Sequence, residues 1–174
     1  MVQHKHVVRL ADVALDDLKG PEGSPFGGKR QRVGAAVGAA KLGYSVFTVP
    51  PGKAAFPFHT HYTNEEMIYI FEGEGSLRIG ADETPVAAGM FVAFPSGAEK
   101  PHQLVNTGAR ELKYLCVSTM EFPEITEYPD SQKIGALTCA PGGTTLRAFF
   151  RKSDDVNYYE GEDGGAVKRI AGKK

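Results

Sequence analysis

The chain has 174 residues, 41% of them hydrophobic and 24% charged, with a formal net charge of −1. That length supports one domain with a real core, burying about 70% of the surface its unfolded chain exposes. The charge balance excludes the basic footprint of a nucleic-acid binder or of a protein held to an acidic membrane surface, and no apolar run approaches the roughly 20 residues of a membrane span.

Other compositional signals are modest. Cys116 and Cys139 supply neither a disulfide framework nor a thiolate metal site. The stretch Met1–His6 lacks the apolar centre of a signal peptide, so the expected compartment is the cytoplasm. The 21 glycines and 11 prolines interrupt the chain at short intervals, as in proteins built of many short strands.

Residues 1–34 are expected to form an N-terminal extension that packs on the main domain or on a partner subunit. Val7–Leu10 reads as a short strand, while Ala14–Lys19 is too short and too weakly periodic for a secure helix. Pro21–Gly28 reads as a loop. His4 and His6 have no third ligand nearby in sequence, and a mobile N-terminus is expected there.

From Ala35 the strand signals thicken. Tyr44–Val49 is a strand stopped by Pro50–Pro51–Gly52, and Ala54–His59 is an extended segment whose Pro57 suggests an edge or bulge. Met67–Phe71 is rich in strand-favouring residues. It is followed by a turn at Glu72–Gly75, a strand at Ser76–Ile79, a turn at Gly80–Glu83 and a short segment Pro85–Ala87. Met90–Phe94 is a strand ended by Pro95–Gly97. His102–Asn106 and Leu112–Ser118 are expected to pair as a hairpin around Thr107–Arg110.

Strands at this spacing, without long amphipathic helices, predict an all-β sandwich or closed barrel over residues 35–120. Residues 121–174 form a C-terminal extension: a loop or strap at Glu121–Asp130, weaker strands at Ala136–Cys139 and Leu146–Phe150, and a solvated tail from 151.

Alternation along the strands assigns faces. His59 and His61 are one residue apart and share a face of an extended segment, because side chains alternate with period two. Two imidazoles followed shortly by a carboxylate, Glu66, make the beginning of a metal site. Glu65, one residue off, points away from it. If Glu66 faces inward, so do Ile68 and Ile70. Met67, Tyr69 and Phe71 then face outward, large and apolar, and are expected to be covered by the N-terminal strands, a second subunit, or both. A homodimer is the expected assembly.

These residues carry a resemblance to the cupin superfamily. The first cupin motif appears as Gly52, six residues, His59–Thr60–His61, four residues, Glu66, six residues and Gly73. The second appears as Gly89, five residues, Pro95–Ser96–Gly97, then His102, three residues and Asn106, with 15 residues between the motifs. The departure is the loop Ala98–Pro101, four residues where the pattern has two.

The resemblance implies a double-stranded β-helix, or jelly-roll, barrel with one divalent metal ion (Zn, Fe, Mn or Ni) held by His59, His61, Glu66 and His102. Four protein ligands on an ion that accepts six would leave two positions open to water or substrate. More narrowly, the chain resembles single-domain bacterial cupins of uncharacterised type, some of whose relatives carry a sugar-phosphate isomerase label.

Three functions follow as expectations, all with a small-molecule ligand and neither nucleic acid nor membrane as partner. The first is a metal-dependent isomerase or epimerase of a sugar or sugar phosphate, with Lys100, Lys53 or Arg147 as the cation for a phosphate. Lys100 is the best placed of these by sequence; its plainer reading is a solvated loop residue. The second is an Fe-dependent dioxygenase, and the third a non-enzymatic small-ligand-binding cupin. No catalytic base is assigned.

Overall fold

The faces assigned by alternation are those the fold uses. In the computed structural model, which describes residues 4–139 and 145–172, strand β5 (Glu66–Glu72) turns Ile68 and Ile70 into the core, where they are 3% and 0% exposed. It lies in a six-stranded antiparallel sheet with β1 (Leu15–Lys19), β2 (Gly27–Gln31), β3 (Leu42–Val49), β8 (Phe91–Phe94) and β10 (Leu112–Thr119), in the order β1-β2-β3-β10-β5-β8. A second sheet of β6 (Glu74–Ile79), β7 (Asp82–Ala87) and β9 (His102–Val105), in the order β7-β6-β9, supplies the other half of the barrel. Phe47, Val49, Leu77, Val86, Leu112 and Tyr114 join the two isoleucines in one cluster.

One glycine separates β5 from β6, and it carries the chain from one sheet to the other. Gly73 has φ +86°, and a Cβ there would lie 2.5 Å from the carbonyl oxygen of Glu111. Backbone conformation and close approach both demand glycine.

Several expectations change. His102–Asn106 and Leu112–Ser118 do not form a hairpin: β9 pairs with β6, while β10 pairs with β3 and β5. The connection crosses between sheets, and Asn106, fully buried, holds it there. Its amide donates to Val49 O and Arg110 O, both at 2.8 Å, and its side-chain oxygen accepts from Gly108 N at 3.0 Å. The expected turn at Gly80–Glu83 is tighter, because Asp82 and Glu83 already pair with β6 and lengthen β7. β7 is an edge strand, where Pro85 costs no ladder bond. Val7–Leu10 is not a strand, whereas Leu15–Lys19 is one, paired with β2. His6 is not free: its Nδ1 hydrogen-bonds Val37 O at 2.8 Å.

The N-terminal extension joins the large sheet at its β3 side. Strand β2 continues the large sheet beside β3, and helix α1 (Val33–Ala36) packs on β3, with Gly34 against Tyr44. Phe71 and Phe91 stay 41% and 71% exposed around Tyr69.

The strap at Glu121–Asp130 is a regular strand, β11 (Glu124–Tyr128), not a loop. It pairs on one side with β4 (Thr60–His61) and on the other with β12 (Lys133–Cys139), which pairs with β13 (Thr145–Arg151). Its period-two pattern escaped detection because two of its inward residues, Glu124 and Thr126, are polar. A bidentate contact from Arg78 on β6 to Asp130, at 2.7 and 3.0 Å, fastens the end of this strap to the barrel.

Beyond β13 the described residues are almost all exposed, including helix α2 (Gly165–Ala171), as a solvated tail would be; the terminal Lys173–Lys174 lie outside them. Among the described residues no helix is long and apolar enough to cross a membrane.

Removing the Asn106 side chain strands the buried Val49 carbonyl and takes a partner from the part-buried Arg110 O and Gly108 N. Asn106→Ala should lower stability by about 2–4 kcal/mol, read as a lower urea midpoint with unchanged m.

Candidate metal centre

The segment around His59 and His61 runs between two sheets. His59 bridges to His102 of β9, with main-chain hydrogen bonds of 3.1 and 2.8 Å, while His61 pairs with Thr126 of β11. Only Thr60–His61 is regular strand, but the extended backbone keeps both imidazoles on the inner face. Glu66, the first residue of β5, comes from the opposite sheet.

The side chains line one cavity of about 220 Å³. Ligand atoms of His59, His61 and Glu66 all lie within 4.8 Å of one another. Glu66 Oε2 is 3.6 Å from Nε2 of His61 and 3.6 Å from Nε2 of His102. The His102 ring is buried and stacked on Phe94, with centroids 3.8 Å apart and planes at 12°. Glu65 is exposed on the other side of the strand, as its parity requires.

The outward nitrogens decide which way the rings present themselves. His59 Nδ1 is 2.8 Å from Pro57 O, and His102 Nδ1 is 3.4 Å from Lys100 O. A carbonyl can only accept, so each Nδ1 carries a proton, and in the neutral form of such a ring Nε2 keeps its lone pair. His61 Nδ1 is buried without a hydrogen-bond partner and faces Glu124 Oε1 at 3.7 Å. Neutral imidazole nitrogens beside a carboxylate oxygen suit a divalent transition metal. His59, His61 and Glu66 could therefore hold such an ion.

Electrostatics favour a neutral His59 beside an ionised Glu66. Burial, together with neighbouring His102 and His61, lowers the His59 pKa from 6.5 to about 4. Burial alone would raise Glu66, but its contact with His102 and its neighbours His61 and His59 outweigh this and hold it below its ordinary value. Tyr114 and Cys116, also on the cavity wall, are pushed well above their ordinary values by burial, so Cys116 remains a thiol.

The three cations named from sequence part company. Lys100 is exposed on the loop before β9 and is not among the cavity-lining residues; its contribution is the carbonyl that His102 faces. Lys53 lies away from the cavity, its Nζ 3.5 Å from Ser24 O. Arg147, on β13, does line the cavity, with its guanidinium 4.7 Å over the Phe149 ring. The C-terminal sheet also contributes Thr126, Tyr128, Leu137 and Phe149 to the wall. Sequence reasoning missed these, and Glu124 with them.

A two-sheet antiparallel barrel with a His-x-His pair and a glutamate converging inside it is the architecture of a cupin. Residues 45–118 match the family model described as a cupin domain.

An uncharacterized protein of Methanocaldococcus jannaschii is 37% identical over 70 residues, covering 40% of this chain and 54% of that one. The chain thus matches about half the length of that curated relative. Two solved structures are similar over most of the fold. One, from Acidithiobacillus ferrooxidans, is 23% identical with a TM-score of 0.75, covering 88% of this chain and 96% of that one. The other, from Silicibacter pomeroyi, is 24% identical with a TM-score of 0.74, covering 87% and 96%. Both carry sugar phosphate isomerase in their names.

Between pH 4 and 6.5 the unfolded chain binds a proton at His59 that the folded chain refuses, so stability rises with pH across that window. Glu66, held low, acts in the same direction: its contribution is present above its ordinary 4.5 and is lost as pH falls through its folded value. Metal-free protein should lose about 3 kcal/mol from His59 alone between pH 6.5 and 4. Urea unfolding at pH 7, 5.5 and 4.5 measures it, and a flat profile would contradict the burial of a neutral His59.

Proposed function

We propose that the protein is a metal-dependent isomerase or epimerase of a small phosphorylated sugar. In this reading His102 completes the ligand set with His59, His61 and Glu66. The observation that carries the proposal is the shared cavity: the ligand cluster and Arg147 line one space of about 220 Å³. That is below the roughly 300–1,000 Å³ of sites for drug-sized ligands and suits a molecule of a few carbons. Further support comes from the names of the two structural relatives.

A bound ion supplies Lewis acidity that polarises a carbonyl oxygen. The chain's own residues do the rest of the positioning. Arg147 takes the phosphate as a planar, permanently charged donor. Its contact with Phe149 limits the freedom it must lose on binding. Ile68, Phe94, Leu104, Leu137 and Phe149 keep water from the reacting carbons. Neutral His59 at pH 7 keeps a lone pair for the ion rather than a proton.

Elemental analysis of untagged protein should find near-stoichiometric metal that disappears in the His59→Ala/His61→Ala double variant and persists in Glu65→Ala. Equal loss in the Glu65 variant would mean that the carboxylate is misassigned. Iron accompanied by oxygen consumption would move the reading to a dioxygenase.

Incubated in D₂O with triose and pentose phosphates, metal-loaded protein should incorporate deuterium beside the substrate carbonyl. Arg147→Ala should raise KM about 10–100-fold with little change in kcat, because the phosphate contact is made equally in ground and transition states. Equal turnover of unphosphorylated sugars would remove the phosphate from the proposal.

A further inference from the structure

Glu124 lies outside the matched cupin segment, on the strap strand, and its side chain is only 5% exposed. A buried carboxylate needs compensating donors, and among the described residues its hydrogen bonds come from one short stretch of chain. Oε1 accepts from the main-chain N–H of Tyr62 at 3.1 Å and of Thr63 at 3.4 Å. Oε2 accepts from Asn64 N at 2.9 Å and from the Asn64 side-chain amide. Residues 62–64 connect His61 to Glu65 and Glu66, so this carboxylate fixes the loop that joins two of the ligands. Asn64 is itself tied to the chain after β10, accepting from Thr119 Oγ1 at 3.0 Å and Glu121 N at 2.8 Å.

The same carboxylate faces His61. With Nε2 given to a metal ion beside Glu66, His61 would carry its proton on Nδ1. That nitrogen is buried and has no hydrogen-bond partner. The other two imidazoles meet main-chain carbonyls at this position, whereas His61 meets Glu124 Oε1 at 3.7 Å, a separation that closes to a hydrogen bond with a small rotation of the ring. An anionic acceptor behind a ligating imidazole fixes its tautomer and raises its basicity.

We propose that Glu124 is a positioning residue of the metal centre, accepting the Nδ1 proton of His61 so that Nε2 presents its lone pair beside Glu66. This rests on the metal-binding part of the proposed function. It makes the C-terminal sheet part of the metal centre: the barrel supplies the ligands, and the strap sets the strength of one of them.

The test compares the full-length wild type, Glu124→Gln and Asn64→Ala, using Zn²⁺ alone as the probe. Zn²⁺ affinity is read by competition with a chromophoric chelator, and the His61 tautomer by ¹⁵N-imidazole NMR. Glu124→Gln should bind Zn²⁺ about 10–100-fold more weakly and shift the His61 Nδ1–H resonance. Asn64→Ala loosens the same loop and takes one donor from Oε2, but leaves Oε1, the oxygen that faces His61, with its two main-chain donors, and should weaken Zn²⁺ less than threefold.

Glu124→Gln binding as tightly as wild type, or no more weakly than Asn64→Ala, overturns the inference and leaves the metal reading standing. A wild type that takes up no Zn²⁺ overturns both. Should Glu124→Gln not fold, the Zn²⁺-loaded wild type decides alone: Nδ1 protonated on His61 supports the role, and metal on Nδ1 overturns it.

Discussion

Everything at the ligand cluster depends on how three imidazole rings are turned. An imidazole can offer a lone pair inward only if something outside takes its other nitrogen. Pro57 O does this for His59 and Lys100 O faces His102, in each case from two residues back along the chain. Local backbone geometry therefore orients two of the three rings. His61 has no such neighbour, and the oxygen it faces is Glu124, more than sixty residues away in sequence. The most local feature of the site, a His-x-His pair, thus draws on one of the longest-range contacts in the molecule.

That contact explains why the barrel does not end where its core ends. The hydrophobic cluster is complete with β3 to β10. The C-terminal sheet adds little to it. Its apolar and aromatic inner residues, Tyr128, Leu137 and Phe149, face the cavity instead. It is joined to the barrel by main-chain pairing of β11 to β4, by the Glu124 carboxylate and by Arg78 with Asp130. These are polar and directional contacts, which fix orientation more than they add burial.

The parts of this that were legible in the sequence share a physical character. Period-two alternation identified Glu66, Ile68 and Ile70 as inward and Glu65 as outward, because a strand allows no other arrangement. The spacings around His59, His61, Glu66 and His102 resembled a cupin, and the barrel followed. Pairing partners were less legible: β9 and β10 are neighbours in sequence with a turn-like linker, yet Asn106 holds that linker across two sheets. Burial of polar residues hid the strap, since Glu124 and Thr126 at inward positions look like solvent-facing residues. Lys100 illustrates the same point in reverse: sequence proximity to His102 drew attention to its ammonium group, while the structure uses its carbonyl.

The cupin segment of residues 45–118 is a smaller unit than the one that encloses the cavity. Glu124, Arg147 and a whole wall of the cavity lie beyond it. Modules defined by shared core patterns and modules defined by a working site need not have the same borders. Transplanting this cavity onto another barrel of the same fold would require β11 to β13 to travel with it. Two relatives that align well through the core could differ in what they accept simply because their C-terminal sheets have diverged.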